Sequence, residues 1–317
     1  MKGAQIVEPI LEVKHLSITF TQYDAGTRQR QLAVIRDLSL AIGAGQVTAV
    51  VGSSGSGKSL LAHAILGILP YNAQMRGELR FCGKPLTSAR ARTLRGRELV
   101  LIPQGVTYLD PLMKVGTQVR KGEKGKTIYE RCRKVLARYG LGPETEELYP
   151  FELSGGMARR VLISTAVVET PKLIIADEPT PGLDARAAGR ILGHFRELAN
   201  EGSGVLLITH DLELALTIAD RVVVLYAGET IEEANAADFS GGRLRHPYTK
   251  ALWNALPQNG FLPIPGVQPY PGDIATGCQF APRCPNCKLK CQKGIISYRE
   301  LDGGWVRCCY PERQGSL

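Results

Sequence analysis

Residues 51–59 read Val51-Gly52-Ser53-Ser54-Gly55-Ser56-Gly57-Lys58-Ser59, after the apolar run 47–50 and before the helix-like run 60–69. This is the pattern GxxxxGK[ST] of a phosphate-binding loop in its setting of strand, turn and helix. Glycines let the backbone wrap a polyphosphate, and successive N–H groups at the helix start present positive dipoles to it. We expect Lys58 to reach the β- and γ-phosphates and the Ser59 hydroxyl to ligate Mg²⁺. A chance turn of glycine and serine is the alternative, and the flanking strand and helix argue against it.

The chain has 317 residues and a net charge of +9, a globular composition sufficient for one large or two modest domains. No apolar stretch approaches the roughly 18–20 residues that span a bilayer, and residues 1–10 lack a secretory signal pattern. We therefore expect a cytosolic chain that reaches a membrane only through a partner. The basic excess of residues 75–138 could contact nucleic acid, anionic lipid or an acidic protein, although solvated surface is the simpler interpretation.

Two further apolar runs end in polar side chains. Residues 173–176 precede Asp177 and Glu178, and residues 205–208 precede Thr209 and His210. Ligands gather at the carboxyl ends of parallel strands, so these groups are expected beside the phosphate loop. Asp177 suits a position that supports Mg²⁺, and Glu178 could polarise an attacking water. His210 could contact a γ-phosphate or orient that water, but a lone histidine is more often a structural cap.

The alternating runs 11–20 and 33–41 predict half-buried strands, which we expect to form a meander leading into the phosphate-loop strand. Phe20 or Tyr23 could stack on an adenine there, although core packing is an equal alternative. Farther along, Leu153-Ser154-Gly155-Gly156-Met157 precedes the helix-like run 158–169 and would form a second anion cradle. Two such cradles in one domain make sense if the second serves a different nucleotide.

Taken in order, these motifs resemble those of the ATP-binding cassette (ABC) ATPases. The series comprises the phosphate loop, a glutamine after the run 99–102, the LSGGM motif, the acidic pair, Gly182-Leu183-Asp184 and His210. The resemblance covers residues 8–240. It implies an α/β fold, namely a P-loop ABC-type nucleotide-binding domain with an antiparallel β subdomain and a helical subdomain at about 105–168. It also implies a head-to-tail dimer in which the LSGGM cradle of one subunit closes over ATP held by the other.

The resemblance assigns roles to individual residues. Catalytic roles are implied for Glu178, His210 and Lys58. Contacts with ATP are implied for Phe20, Gly52, Ser53, Gly55, Ser56, Gly57, Lys58, Ser59, Leu60 and Gln104. Mg²⁺ would be held by Ser59, Gln104 and Asp177. The ATP of the opposite subunit would meet Leu153, Ser154, Gly155, Gly156 and Met157, and Asp184 would bridge the dimer.

A second resemblance covers residues 243–312. His246-Pro247-Tyr248, Ile264-Pro265-Gly266 and the stretch 277–284 are similar to the C-terminal extension of oligopeptide, dipeptide and nickel importer ATPases. Met157 in the LSGGM motif, with Arg160 three places on, is similar to the same branch. Gly105 departs from it, because an acidic residue usually follows the glutamine, which leaves details of the contact with the membrane partner open.

Six of the eight cysteines lie in the last forty residues, which in a cytosolic chain favours metal over disulfides. By resemblance to some members of the branch, Cys278, Cys284, Cys291 and Cys308 would ligate a [4Fe-4S] cluster. Zinc is the competing metal because four thiolates suit it equally well, and reduced structural cysteines without metal are a third possibility. Cys287 and Cys309 are surplus or substitute ligands.

The predicted function is ATP hydrolysis that energises an importer of peptides, nickel or metal chelates. The implied partners are transmembrane permease subunits, a second ABC ATPase subunit, with a heterodimer favoured, and indirectly an extracytoplasmic substrate-binding protein. The chain would lie at the cytoplasmic face of the cell membrane, and no nucleic acid is expected. The alternative is a soluble ABC ATPase acting on nucleic acid or ribosomes. A single cassette, the lack of a coiled-coil insertion and the His246 tail argue against that alternative.

Overall fold

The computed structural model of the chain describes residues 8–23, 29–53, 55–272 and 276–312, so Ser54 of the phosphate-loop motif lies outside the described residues. The strands are β1 Leu11–Tyr23, β2 Gln29–Ile42, β3 Val47–Gly52, β4 Ala73–Phe81, β5 Lys84–Pro85, β6 Leu99–Ile102, β7 Leu173–Asp177, β8 Gly204–Thr209, β9 Arg221–Tyr226, β10 Glu229–Asn235, β11 Tyr298–Leu301 and β12 Gly304–Arg307. The α-helices are α1 Lys58–Leu66, α2 Ser88–Leu94, α3 Val115–Val119, α4 Lys126–Arg138, α5 Gly155–Val167, α6 Ala185–Asn200, α7 Leu212–Leu216, α8 Ala236–Ser240 and α9 Pro247–Asn254. Short 3₁₀ helices are Val106–Tyr108, Pro143–Glu147, Pro150–Glu152, Pro257–Asn259, Ala281–Arg283 and Leu289–Gln292.

A parallel sheet in the order β9-β3-β8-β7-β6 forms the centre of the molecule. Its strands are mostly apolar and buried because both faces are covered, as expected for parallel strands. Alternate residues of β8 illustrate this: Leu207 belongs to one core cluster and Leu206 to the other. The sheet brings the carboxyl ends of β3, β7 and β8 to one edge, where the phosphate loop and the two polar pairs begin.

Antiparallel strands extend the sheet. β1 pairs with β2 and β4, and β4 pairs with β5. The predicted meander exists as β1 and β2, but it does not lead directly into the phosphate-loop strand. β3 instead lies between β9 and β8, while β2 meets β10 at Asp37 and Glu229. The central position follows from the complete burial of β3, which a strand at the edge of a sheet could not have.

Helices cover the sheet, and their starts follow local rules. α5 begins three residues before the predicted run because the Ser154 hydroxyl accepts from the Met157 N–H at 3.3 Å, which caps the helix there. α1 ends earlier than predicted, since Gly67 takes a left-handed conformation with φ of 64° and closes the last turn. Residues 105–168 contain helices and turns without a strand.

The C-terminal extension joins the sheet rather than standing apart from it. β11 and β12 form a hairpin, and β12 pairs antiparallel with β10 through Val306 opposite Glu232 and Trp305 opposite Glu233. Arg245 lies beneath this junction with 2% of its surface exposed. The division of the chain at about residue 240 stays a prediction.

Candidate nucleotide-binding site

The phosphate loop links β3 to α1, and two of its glycines are required by their surroundings. A Cβ at Gly52 would lie 2.5 Å from the carbonyl oxygen of Leu225. Gly57 has φ of 97°, and a Cβ there would lie 2.8 Å from Cγ1 of Ile35. The loop can therefore adopt this path only with glycine at both positions.

Lys58 opens α1 and is held by the loop itself. Its Nζ donates to the carbonyl oxygens of Gly52 at 2.8 Å and Ser53 at 3.0 Å. Burial lowers the pKa of Lys58, while the charges of Glu178 and Asp177 act in the opposite direction. The ammonium group is thus fixed at the start of the helix, close to where a polyphosphate is expected.

A cavity of about 440 Å³ opens over the loop. Its lining residues are Val34, Gly55, Gly57, Lys58, Ser59, Leu60, Gln104, Glu178 and His210. Eight of these nine are residues that the sequence predicted for ATP, Mg²⁺ or catalysis, and they come from four separate segments. The structure thus brings the phosphate loop, the glutamine, the glutamate and the histidine to one place.

Five of the residues predicted for ATP, Mg²⁺ or catalysis do not line this cavity, namely Phe20, Gly52, Ser53, Ser56 and Asp177. Gly52 is buried at the end of β3, Ser56 is buried with no hydrogen-bond partner for its Oγ among the described atoms, and the Ser53 hydroxyl donates to Gln268. Phe20 is paired with Leu32 across β1 and β2 and packs against the core cluster that contains β1 and β2. The assignment of Phe20 to adenine stays a prediction, and Val34 and Leu60 are the apolar residues that line the cavity.

The acidic end of β7 lies next to the loop. Ser59 Oγ donates to Asp177 Oδ1 at 3.3 Å, so the predicted magnesium ligands from two segments are neighbours. Burial raises the pKa of Asp177, and the hydrogen bond from Ser59 opposes that change. Hydroxyl and carboxylate oxygens are the ligands that Mg²⁺ prefers, so this pair and the exposed Gln104 fit that ion.

Glu178 and His210 form the other half of the site. Nδ1 of His210 lies 2.9 Å from Oε1 and 3.0 Å from Oε2 of Glu178, whose side chain is 14% exposed. Thr209 Oγ1 adds a contact of 3.4 Å to Oε2. The backbone of Glu178 is left-handed, with φ of 47°, and its N–H donates to the Ile208 carbonyl at 2.8 Å. A non-glycine residue in this region is held there by its surroundings.

The LSGGM segment lies away from this cavity. Ser154, Gly155 and Gly156 are exposed at the start of α5, whereas Leu153 and Met157 are partly buried against the core. A Cβ at either glycine would meet no described atom within 4 Å. The chain's own packing therefore does not require glycine at these two positions. Asp184 is also exposed, and its carboxylate accepts from the Ala187 N–H at 2.8 Å, which caps α6.

Two family models match the chain. The model described as ABC transporter matches residues 35–181, and that described as oligopeptide/dipeptide transporter, C-terminal region, matches residues 231–291. The oligopeptide transport ATP-binding protein OppD of Escherichia coli (strain K12) is 34% identical over 325 residues, covering 96% of this chain and 94% of the relative. The dipeptide transport ATP-binding protein DppD of the same organism is 36% identical over 323 residues, covering 95% and 97%.

This chain belongs to the ABC transporter ATP-binding subunits, in their oligopeptide/dipeptide branch. A solved structure of the ATP-binding cassette MJ0796, a post-hydrolysis dimer bound to ADP and phosphate, is 25% identical with a TM-score of 0.60 and covers 71% of this chain and 98% of that one. The predicted P-loop α/β fold is confirmed, as are the assignment to an ABC ATPase and its use of ATP and Mg²⁺. No described helix of this ABC subunit combines the length and apolar character needed to cross a bilayer.

The extension of the ABC subunit gathers the predicted cysteines. Cys278, Cys284, Cys291 and Cys308 line one small cavity together with Cys309. Cys287 is absent from that lining and contacts Gln292 and the Lys288 carbonyl. Among the described residues, however, no group of three or more acidic, cysteine or histidine side chains is arranged to hold a metal. The cysteines converge as predicted, but this geometry does not itself support the iron–sulfur cluster.

The sequence missed two groups at the site. Val34 lines the cavity from β2, and Gln268 contacts Ser53. Thr209, which the sequence placed at this edge of the sheet, contacts Glu178. Val34 and Gln268 carry no local motif, and their positions depend on tertiary packing.

Proposed function

We propose that this chain hydrolyses ATP to energise the import of peptides across a cell membrane. The observation that carries the proposal is that two relatives named for oligopeptide and dipeptide transport match nearly the whole chain, extension included. Nickel and metal chelates, which the branch also suggests, are less favoured because neither relative's name mentions them. Both names describe transport, so nothing favours the alternative of a soluble ATPase acting on nucleic acid.

Each side chain at the cavity has a task in this proposal. Lys58 holds a positive charge next to the β- and γ-phosphates, and its hydrogen bonds to two loop carbonyls orient it. Mg²⁺, when bound at Ser59, Asp177 and Gln104, would neutralise charge on the phosphate oxygens. Glu178 aligns the attacking water, and His210 fixes the Glu178 carboxylate through its Nδ1. Lys58, Glu178 and His210 are the residues that we assign to catalysis.

We propose that the active unit is a head-to-tail dimer. The support is that Ser154, Gly155 and Gly156 form an exposed helix start whose glycines have open space around them. Helix N-termini favour anions, and glycine there lets a phosphate approach the backbone closely. In a dimer this turn would meet the ATP bound at the other subunit, with Leu153 and Met157 anchoring it and Asp184 near the interface. A second, different ABC ATPase subunit is the partner we favour.

The membrane partners are proposed from the same likeness. Permease subunits would contact the surface after Gln104, where Tyr108 and Leu112 are 69% and 87% exposed. Large apolar side chains at that exposure suit an interface with another protein. The subunit would thus lie on the cytoplasmic face of the membrane, and an extracytoplasmic substrate-binding protein would deliver the substrate to the permease.

Turnover and transport together test the proposal. In the assembled transporter reconstituted in vesicles, Glu178→Gln is expected to lower phosphate release by about 10²–10⁴-fold while ATP binding persists. Uptake of a labelled peptide should fall in proportion. Glu213→Gln is a matched control on α7, because Glu213 is exposed and outside the cavity lining. Normal phosphate release by Glu178→Gln would refute the catalytic assignment, and ATP turnover without peptide uptake but with nickel uptake would refute the substrate.

We also propose that the cysteine cavity binds a metal, with a [4Fe-4S] cluster favoured over zinc. The support is that Cys278, Cys284, Cys291 and Cys308 converge there from separate parts of the extension. Iron, sulfide and zinc analysis of anaerobically purified protein tests this, together with the visible absorption of an iron–sulfur cluster. Cys291→Ser should lose the metal, whereas Cys287→Ser should retain it. Protein free of both metals would contradict the proposal.

A further inference from the structure

A segment of the C-terminal extension, residues 264–272, passes beside the phosphate loop and is held at both ends. Arg283 donates to the carbonyl oxygens of Ile264 at 3.2 Å and Pro265 at 2.6 Å. At the other end, Arg30 of β2 donates to the carbonyl oxygen of Gly272 at 2.8 Å. Arg283 belongs to the extension but also donates to the phenol of Tyr226 on β9 at 3.0 Å. Both ends of the segment are therefore tied to the cassette, which keeps its middle close to the loop.

The middle of the segment contacts the loop directly. The Ser53 hydroxyl donates to Oε1 of Gln268, a residue 215 positions away in sequence. Burial raises the pKa of the Tyr248 phenol, and hydrogen bonding with the side chain and backbone of Ser53 opposes that change. Tyr248 is 3% exposed, and its ring lies 4.5 Å from that of Tyr226, centroid to centroid. The phenol is therefore fixed in place by buried packing.

The backbone of Ser53 helps to hold Lys58 in place. Its carbonyl oxygen accepts from Lys58 Nζ at 3.0 Å, next to the Gly52 carbonyl at 2.8 Å. The phosphate-loop pattern leaves the residue type at position 53 free, so the motif gives the Ser53 side chain no task of its own. The side chain nevertheless has two partners, both in the extension.

We propose that Gln268 and Tyr248 are positioning residues for ATP binding, which act by holding Ser53 and through it the phosphate loop and Lys58. The extension then does more than attach to the cassette: it preorganises the loop that receives the β- and γ-phosphates. A preorganised loop loses less conformational freedom when the nucleotide binds, which increases affinity. Neither residue touches the nucleotide site itself, since neither lines the cavity over the loop.

The test measures the dissociation constant of Mg·ATP for the full chain by calorimetry. Gln268→Ala and Tyr248→Phe are each expected to weaken binding about threefold to tenfold, the value of one neutral hydrogen bond. Gln258→Ala and Tyr270→Phe are matched controls at exposed positions of the extension and should bind as the unaltered chain does.

A double-mutant cycle with Ser53→Ala separates positioning from general damage to the extension. Removing Gln268 from the Ser53→Ala protein should cause no further loss, because the contact is already gone. In the assembled transporter, Gln268→Ala should raise KM for ATP while kcat stays within about twofold, as expected when only ground-state binding is lost. Unchanged affinity in both single variants, or a Gln268→Ala effect that persists in full without the serine hydroxyl, would overturn the proposal.

Discussion

Replacing Arg245 with methionine is expected to lower the free energy of unfolding of the C-terminal extension by about 3–5 kcal/mol, the usual effect of breaking a buried ion pair from one side. Arg245 is 2% exposed, with Nη1 3.4 Å from the carboxylate of Glu232 and Nη2 3.2 Å from that of Asp238. Its Nε also donates to the Leu301 carbonyl at 2.7 Å, at the turn of the C-terminal hairpin. One side chain therefore links β10, α8 and the hairpin.

Most of this loss in the free energy of unfolding should come from the unpaired carboxylate of Glu232. Asp238 keeps Arg243 as a partner at 2.9 Å, whereas Glu232 is 0% exposed and keeps only neutral donors, including the N–H groups of Arg245 and His246 at 2.8 Å each. Burial already raises the pKa of Glu232, opposed by those N–H groups and by Arg245. A carboxyl whose pKa is raised on folding contributes stability below its unfolded pKa and loses it as pH rises through its folded pKa. Without Arg245 the pKa rises further, so the variant should be more destabilised at pH 8 than at pH 5.

Urea unfolding followed by tryptophan fluorescence measures this directly, because both tryptophans of the chain, Trp253 and Trp305, lie in the extension. The double variant Arg245→Met with Glu232→Gln should recover part of the loss at pH 8, since no buried charge is then left unpaired. Arg243→Met is the matched control, with a side chain 42% exposed and an expected loss below about 1 kcal/mol. A loss below about 1 kcal/mol in Arg245→Met, or a double variant as unstable as the single one at pH 8, would refute the reasoning.

Other perturbations test other parts of the molecule. Gly155→Ala should leave thermal unfolding unchanged, because its Cβ would meet no described atom within 4 Å. If the turn closes on a partner's ATP, the same change should lower ATP turnover by roughly tenfold to hundredfold. Unchanged turnover would count against the dimer. Phe195 is 0% exposed, so Phe195→Ala should lower the free energy of unfolding in urea by about 3–5 kcal/mol. A loss under about 1 kcal/mol would show that the surrounding core refills the cavity left by the ring. Burial raises the pKa of Cys132 to about 11, so its labelling by iodoacetamide at pH 8 should be slow in the native protein and rapid in urea; equal rates would contradict that burial.

Much of the nucleotide site could be predicted from sequence because its signals are local. The glycines of the phosphate loop and its lysine and serine form a contiguous motif, and the acidic end of β7 follows a run of buried residues. Parallel strands then place His210 and Glu178 at the same edge of the sheet without further information. The distance of 2.9 Å between them follows from that register.

The remaining features depended on contacts between distant segments. Phe20 could be assigned neither to adenine nor to the core from sequence, because its pairing with Leu32 and its packing against the β1 and β2 cluster depend on tertiary structure. The pairing of β3 with β9 rather than β2 was likewise beyond local patterns, since alternation predicts a strand but not its neighbour. Cysteine spacing indicated convergence, yet whether the thiols assemble around a metal depends on side-chain geometry that spacing does not contain.

The pairing of β12 with β10 bears on how this protein can be dissected. A fragment ending near residue 240 would keep every catalytic side chain but would strip the neighbour from Glu232 and Glu233. Unpaired peptide groups along that strand, beside a Glu232 carboxylate that would lack Arg245, would favour pairing with other copies and precipitation. A fragment made to study the ATPase alone should therefore retain the β11–β12 hairpin. The smallest fragment expected to stay soluble extends almost to the end of the described chain.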